Sequence, residues 1–322
     1  MEISTKQSLF ILLSKTMKKF ILKLIVFLTA ITTIILSYSY IVSFIVINRN
    51  FKNYETESNL LIIKKNEKFD IAFIGISHAR NFSRHKNHLR VENILNKHII
   101  NFGQGGSTCS VNEQYFYLDY FYKKGNSVNT IIYLLTPPMI FSETLSKASN
   151  TFDVEPFKLD FFLNYLFFFN TENKEQRLLS YIRTKFEKKW INYKPTSLDS
   201  ISYKLDKIDS AEVNKGIKSA YTSDSLLYFE KNCKTIENTI LLANENNTEI
   251  ILMIPPALFG KWLGNQKVCE FAEKMVDKYN IQFFDYSETI LEPNFYYDHH
   301  HLNTNGVVYF TEKFLKPIFE ND

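Results

Sequence analysis

The chain has 322 residues, of which 45% are hydrophobic and 16% are aromatic, so it can bury a substantial core and is not a disordered protein. Its net charge of +4 is concentrated near the N-terminus: residues 1–52 hold seven of the 38 Lys and Arg but one of the 34 Asp and Glu, which leaves 31 basic and 33 acidic residues for the remainder. That remainder has a balance of −2, so no basic face for nucleic acid is predicted.

A long apolar run follows the basic N-terminal residues. Residues 24–47, LIVFLTAITTIILSYSYIVSFIVI, carry no charge across 24 positions, enough for a helix to cross a hydrocarbon core of about 30 Å. Five lysines lie within residues 1–23. The pattern predicts a cytoplasmic basic tail (1–23), a transmembrane helix (24–47) and a remainder outside the cytoplasmic membrane. A signal peptide and a buried core helix are the alternatives.

After a polar stalk over residues 48–68, short apolar runs alternate with helical patterns. Strands are predicted over residues 71–74, 98–101, 130–135, 249–254 and 281–284. Helices are predicted over residues 90–97, 112–123, 225–246 and 261–279. Strands that alternate with helices favour a parallel sheet covered on both faces, so residues 69–322 are predicted to form a doubly wound α/β domain.

Residues 142–222 interrupt this alternation. They contain an aromatic stretch, LDFFLNYLFFFN, and a charged one, RTKFEKKW, without a clear strand pattern. We expect a mostly helical insertion. It could form a lid over the carboxyl edge of the sheet, or an extra packing layer without ligand contact.

The three cysteines, Cys109, Cys233 and Cys269, lack the spacing of metal ligands. A disulfide between Cys233 and Cys269 and three free thiols are both compatible with the sequence.

Polar groups follow several of the predicted strands, where open α/β sheets bind their ligands. Ser77 follows the first strand, NFGQGGST the second and TPPM the third. Near the C-terminus, Asp298 precedes His301 by three residues, so the carboxylate can orient the imidazole while the other ring nitrogen takes a proton from a serine hydroxyl. These residues are candidates for nucleophilic catalysis by a serine.

Other interpretations exist for each group. Ser77 alone could form a turn or a helix cap. The histidines of DHHHL could form a metal site or an exposed polar turn, but adjacent residues rarely present three ligands to one ion. We therefore expect neither a metal nor another cofactor.

Together the motifs resemble the SGNH (GDSL-like) hydrolase superfamily. GIS matches the G-x-S motif of that family at Gly75–Ser77, and Asn101, Gly103, Gly106 and Thr108 match its second block, N-x-G-x-x-G-x-T. Asp298, His301, Leu302 and Gly306 match the last block, D-x-x-H-L followed by Gly. The resemblance covers residues 69–322 and implies a flavodoxin-like three-layer fold.

The resemblance also implies roles for individual residues. Ser77 would be the nucleophile, His301 the general base and Asp298 its orienting partner, while backbone N–H groups of Ser77 and Gly106 would form the oxyanion hole. Candidate pocket residues are His78, Asn101, Gly103 and Thr136.

Two positions depart from the family pattern. GISH stands where G-D-S-L is usual, so His78 would line the pocket. Pro137 stands where an oxyanion asparagine is expected, and Thr136 could supply a replacement donor.

This chain resembles the membrane-anchored branches without that asparagine, which are similar to DltD-like proteins and polysaccharide O-acyltransfer factors, and the resemblance implies envelope acylation. The expected function is therefore that of an extracytoplasmic serine esterase or O-acyltransferase, acting on acyl groups, acetyl above all, of an envelope or exported polysaccharide. The expected partners are that ester substrate, the membrane and a membrane acyltransferase or assembly complex. The alternative is a non-catalytic partner in an assembly machine, with a degenerate site; a free lipase or thioesterase is a third candidate.

Overall fold

The structure is a computed structural model that describes residues 2–50, 63–105, 108–168, 171–192, 204–219 and 225–320. It begins with a single long helix, α1 (Glu2–Asn50). Within α1, the segment Thr16–Arg49 contains an 18-residue stretch with a mean hydropathy of 2.4 and is long and apolar enough to cross a membrane. Residues 51–62 of the predicted stalk lie outside the described part of the chain.

A five-stranded sheet forms the centre of the domain. Its strands are β1 (Lys68–Ile74), β2 (Ile99–Asn101), β3 (Ser127–Leu134), β4 (Glu249–Ile254) and β5 (Gln282–Asp285). All neighbouring strands are parallel and their order is β2-β1-β3-β4-β5. This is the order of flavodoxin-like sheets, and it confirms the predicted α/β class.

Helices connect and cover the strands. They are α2 (Ser77–Arg80), α3 (Asn87–Leu95), α4 (Val111–Lys123), α5 (Pro137–Phe141), α6 (Glu143–Ser146), α7 (Leu159–Leu166), α8 (Lys174–Arg183), α9 (Lys188–Ile191), α10 (Ser210–Ser219), α11 (Ser225–Glu245), α12 (Asn265–Tyr279), α13 (Thr304–Phe310) and α14 (Lys316–Glu320). Short 3-10 turns cover Arg84–Lys86, Thr184–Phe186 and Pro293–Phe295, and a π-helical turn covers Thr311–Leu315.

Two apolar cores lie on opposite faces of the sheet because successive strand side chains alternate in direction. Ile131 and Tyr133 of β3 belong to one core, with side chains of α4, α11 and α12. Ile132 and Leu134 belong to the other, with side chains of α3 and α13. The strands are therefore buried on both faces, which explains their nearly continuous apolar sequences.

The described part of the insertion is helical and has two locations. Its first part, α6 to α9, packs on α4 through an aromatic cluster to which Phe152, Phe161 and Tyr165 contribute around Phe116. This part forms an extra layer on one face of the domain. Its second part covers residues 204–219 and begins beside the loop that carries His301. There the backbone N–H of Leu205 donates to the Tyr296 carbonyl at 2.8 Å.

The buried pair of Arg177 and Glu113 fixes that extra layer to the domain. Arg177 of α8 lies 2.9 Å from Glu113 of α4, and both side chains are fully buried. Tyr165 also donates its hydroxyl to Glu113 at 3.1 Å. The cysteines take no part in such cross-links, since Cys109, Cys233 and Cys269 are all free thiols.

Candidate active site

Ser77 lies where β1 ends, at the carboxyl edge of the sheet. Gly75 has a φ of +148°, a conformation that side chains rarely allow, and a Cβ there would lie 3.1 Å from the Leu134 carbonyl oxygen of the neighbouring strand. The chain therefore turns at Gly75, and α2 begins at Ser77. The turn presents the serine hydroxyl at the switch point between β1 and β3, where ligands bind in this type of sheet.

The loop from Tyr296 to Leu302 carries the other two residues. Tyr296 and Leu302 form an antiparallel bridge, and the backbone N–H of Tyr297 donates to the His301 carbonyl at 3.1 Å. Asn303 follows as the N-cap of α13, accepting the Gly306 backbone N–H at 2.9 Å. The loop is thus held at both ends, with His301 one turn before a helix.

Close packing at Gly306 positions this helix. A Cβ at Gly306 would lie 2.1 Å from the carbonyl oxygen of Phe295, so only glycine allows α13 to approach the 3-10 turn so closely. The glycine that completes the last sequence motif therefore has a structural role beside the site.

Ser77, His301 and Asp298 form a continuous hydrogen-bonded chain. Ser77 Oγ lies 2.6 Å from His301 Nε2, although the two residues are 224 positions apart. His301 Nδ1 lies 2.7 Å from Asp298 Oδ2. Because a carboxylate only accepts, Nδ1 carries the proton, and Nε2 is left to accept the serine O–H. This is the protonation state that a general base requires.

Asp298 is held in its ionised form. Its Oδ1 accepts the backbone N–H groups of His300 at 3.0 Å and His301 at 2.8 Å, so both carboxylate oxygens are engaged. Burial acts to raise the pKa of Asp298, but the hydrogen bonds that it accepts, above all from the His301 ring, outweigh burial and hold that pKa well below its usual value. A permanent anion therefore faces the imidazole.

The predicted oxyanion hole lies only partly among the described residues. As the first residue of α2, Ser77 has a backbone N–H without a carbonyl partner inside that helix. Gly106, the second predicted donor, lies outside the described residues. Pro137 is the first residue of α5, immediately after Thr136, and Thr136 is fully buried with no hydrogen-bond partner for its Oγ1 among the described residues. The Thr136 hydroxyl thus follows β3, the strand beside β1, and Ser77 follows β1.

Asn101 and Gly103, both predicted pocket residues, have structural contacts. The Asn101 amide donates to the Ala79 carbonyl at 2.6 Å, and its oxygen accepts the Gly103 backbone N–H at 2.7 Å. A Cβ at Gly103 would lie 2.3 Å from the Arg80 backbone nitrogen. The two residues hold the loop after β2 against α2, and this contact fixes the helix that begins at Ser77.

His78 lies beside the triad rather than at the surface. Its ring centroid is 4.6 Å from that of His301 and 5.4 Å from that of His300, and it is 6% exposed. Burial lowers its pKa well below the usual value, and the charges of His301 and His300 act in the same direction. His78 is therefore a neutral ring beside the imidazole of His301.

Three further aromatic residues around the triad were not predicted as site residues. The ring of Tyr297 stacks on that of His301 with 5.3 Å between the ring centroids. The ring centroid of His300 lies 4.0 Å from that of His301. Burial lowers the pKa of His300 to about 4. Trp262 comes from the loop after β4 and meets His300 edge-on at 5.3 Å. Open α/β sheets bind ligands beyond the carboxyl ends of their strands, so the end of β4 would have indicated this loop.

His78, His300 and His301 present one ring nitrogen each within 4.8 Å of one another, a grouping that could hold a metal ion. However, both nitrogens of His301 are engaged, by Ser77 and by Asp298. An ion that used His301 Nε2 would displace the serine, so metal binding and the triad exclude one another.

Comparisons with known proteins add little to this geometry. No family model matches the chain, and no curated protein matches it. Among solved structures, a protein from Bacteroides fragilis that is provisionally described as an acylhydrolase matches with a TM-score of 0.39 and 14% sequence identity, over 84% of this chain and 96% of that one.

Proposed function

We propose that the protein is a serine esterase or O-acyltransferase that acts through an acyl-serine at Ser77. The observation that carries the proposal is the unbroken chain from Ser77 Oγ to His301 Nε2 at 2.6 Å and from His301 Nδ1 to Asp298 Oδ2 at 2.7 Å. A serine that only caps a helix does not require an imidazole already oriented by a carboxylate.

The geometry supports a two-step reaction. Ser77 Oγ attacks the ester carbonyl while its proton passes to His301 Nε2, and Asp298 stabilises the imidazolium that forms. The departing alkoxide then takes the proton from Nε2, which leaves the acyl group on Ser77. A water molecule or a sugar hydroxyl next gives its proton to Nε2 and attacks the acyl-serine. As the bond to Oγ breaks, Nε2 returns that proton to Oγ, which restores Ser77 and neutral His301 and releases the free acid or a new ester.

We further propose that α1 crosses the cytoplasmic membrane with its basic end inside and the site outside. The five lysines before residue 24 and the uncharged run over residues 24–47 support this orientation. A tethered site outside the cell encounters polymers of the envelope. The proposed substrates are therefore acyl esters, acetyl in particular, on envelope or exported polysaccharide.

A fluorophosphonate probe tests the chemistry without knowledge of the substrate. The full-length protein in detergent should be labelled covalently, and Ser77→Ala and His301→Ala should abolish labelling. Ser127→Ala is the matched control, because Ser127 is an exposed serine at the start of β3, the opposite end from the site, and should label like the unsubstituted protein. Absence of labelling in a folded, full-length protein would refute the proposal.

Pro137 favours a second candidate function, a non-catalytic partner in an envelope assembly. Loss of one oxyanion donor typically costs about 3–4 kcal/mol of transition-state stabilisation, which a slow or inactive site would reflect. The same probe separates the two candidates, since a relic triad without oxyanion stabilisation would not be labelled. If labelling occurs, release of acetate from acetylated polysaccharides, with and without an added sugar acceptor, distinguishes hydrolysis from transfer.

A further inference from the structure

The insertion is packed against α1, and this contact defines a second surface of interest. The Phe157 backbone N–H donates to Ser43 Oγ at 2.7 Å, and the rings of Tyr38 and Phe186 stack at 4.5 Å. Val46 of α1 is buried against Trp190 of α9. The later part of α1 is therefore fixed to the folded domain rather than acting as a free tether.

A groove beside this contact joins α1 to α7. Its walls are formed from α1 by Thr33, Leu36, Ser37, Tyr40 and Ile41, and from the insertion by Phe157 and Leu159. Leu159, at the start of α7, thus lies at the same height along α1 as residues 33–41.

One face of α7 is apolar and exposed. Leu159, Leu163 and Leu166 are separated by four and three positions, so they lie on the same side of the helix, and Phe167 follows at its C-terminal end. They are 48%, 41%, 40% and 69% exposed, while Phe161 and Tyr165 on the other side are fully buried. We call the four exposed residues the α7 face; a contiguous apolar surface of this kind marks a contact with a partner or a membrane.

The height of the groove identifies the occupant. Counted from Lys23 at a rise of 1.5 Å per residue, a hydrocarbon core of about 30 Å ends near Ser43. Leu36 and Ile41 would then lie roughly 10 Å and 3 Å inside the outer boundary. Leu159 shares their groove, so the α7 face begins at the level of the lipid acyl chains.

Charged residues lie where lipid head groups would be. Arg49 donates to the Ile191 carbonyl, which brings the end of α1 beside α9. Arg49 lies six residues beyond Ser43, and the exposed Lys188 and Lys189 belong to the same short helix as Ile191. An apolar face with cations on its outer side matches the acyl chains and phosphate groups of a bilayer. It matches the mixed surface of a protein partner less well.

We propose that the α7 face inserts into the outer leaflet of the membrane that α1 crosses, so that the domain has two membrane contacts and a fixed orientation. The proposal rests on the membrane anchoring proposed above. With both contacts in place, the Ser77 site is held at one constant distance from the lipid surface.

Tryptophan quenching by lipids tests this surface. The full-length protein would be reconstituted into phosphatidylcholine vesicles with bromine on the acyl chains, with Leu163→Trp, Leu89→Trp or Ile34→Trp as the reporter. Leu163 and Leu89 are matched, since both are leucines with 41% exposure, but Leu89 lies on α3 at the opposite face of the sheet. Ile34 lies within the apolar part of α1. The signal of buried Trp190 and Trp262 in the unsubstituted protein is subtracted.

We expect Leu163→Trp to be quenched as Ile34→Trp is, while Leu89→Trp keeps its emission. If Ile34→Trp alone is quenched, the α7 face does not touch lipid and only this proposal fails, which would leave the face for a protein partner. If neither Ile34→Trp nor Leu163→Trp is quenched, the membrane anchor fails as well. Equal quenching at Leu89 and Leu163 would also overturn the proposal, because the domain would then adsorb without a preferred face.

Discussion

Asp298→Asn should remove most of the activity while leaving the loop intact. In the structure, Oδ1 accepts two backbone N–H groups at 3.0 and 2.8 Å, and Oδ2 accepts His301 Nδ1 at 2.7 Å. An asparagine has a single acceptor oxygen and one NH₂ group. If its oxygen faced Nδ1, two backbone donors would meet the NH₂ group, at a cost of about 1–3 kcal/mol for each donor left unpaired. The oxygen should therefore stay with the backbone, and the NH₂ group should face Nδ1.

That orientation reverses the tautomer of His301. Nδ1 must then accept, so the proton moves to Nε2, which can no longer take the proton of Ser77. In a triad this change lowers the rate about 10⁴-fold, or about 5 kcal/mol of barrier. The second-order rate of fluorophosphonate labelling and the hydrolysis of a simple acetate ester measure the loss, and a thermal melt confirms that the variant is folded. A loss smaller than about tenfold would show that Asp298 does not set the protonation state of His301.

Three further predictions concern the framework of the site. Gly306→Ala would place a methyl group 2.1 Å from the Phe295 carbonyl oxygen, so it should cost about 1–3 kcal/mol of stability and reduce labelling of Ser77. Denaturation measures the first effect and the fluorophosphonate probe the second. An unchanged melting temperature and labelling rate would contradict the packing described. Arg177→Met should lower stability by about 3–5 kcal/mol because Glu113 remains buried without its partner, and adding Glu113→Leu should restore most of the loss; a single variant as stable as the parent would refute this. Burial raises the pKa of Glu155 to about 7, so the folded state holds its proton more tightly than the unfolded state, and stability should fall as pH rises from about 4.5 to 7, by roughly 3 kcal/mol. Glu155→Gln should remove that slope in denaturant titrations at several pH values, and parallel slopes for the two proteins would show that another group is responsible.

The strands and the helices around the sheet were predictable because their signals are local. Apolar runs indicated all five strands, and β4 matches its predicted range of 249–254. The start of β3 was placed three residues late, at 130 instead of Ser127, because its first residues alternate with exposed polar side chains that give no apolar signal.

The triad was predicted for a different reason. Ser77 follows a predicted strand, Asp298 precedes His301 by three residues, and the motifs around them together resemble one hydrolase superfamily. The structure brings Ser77, His301 and Asp298 together. Trp262, by contrast, reaches His300 from the loop after β4. The end of a strand indicates that loop, but no local pattern indicates which of its residues contacts the site. The same is true of the hydrogen bond between Phe157 and Ser43, which joins residues 114 positions apart.

The separation of Ser77 and His301 by 224 positions has a consequence for biosynthesis. The serine emerges early, but its base belongs to a loop that is held between β5 and α13, the last strand and one of the last helices described. A chain that is still being made therefore carries a serine that has no base to activate it. Reactivity toward esters should arise only after the final strand has joined the sheet, so incomplete chains remain inert toward the esters of the cell that makes them.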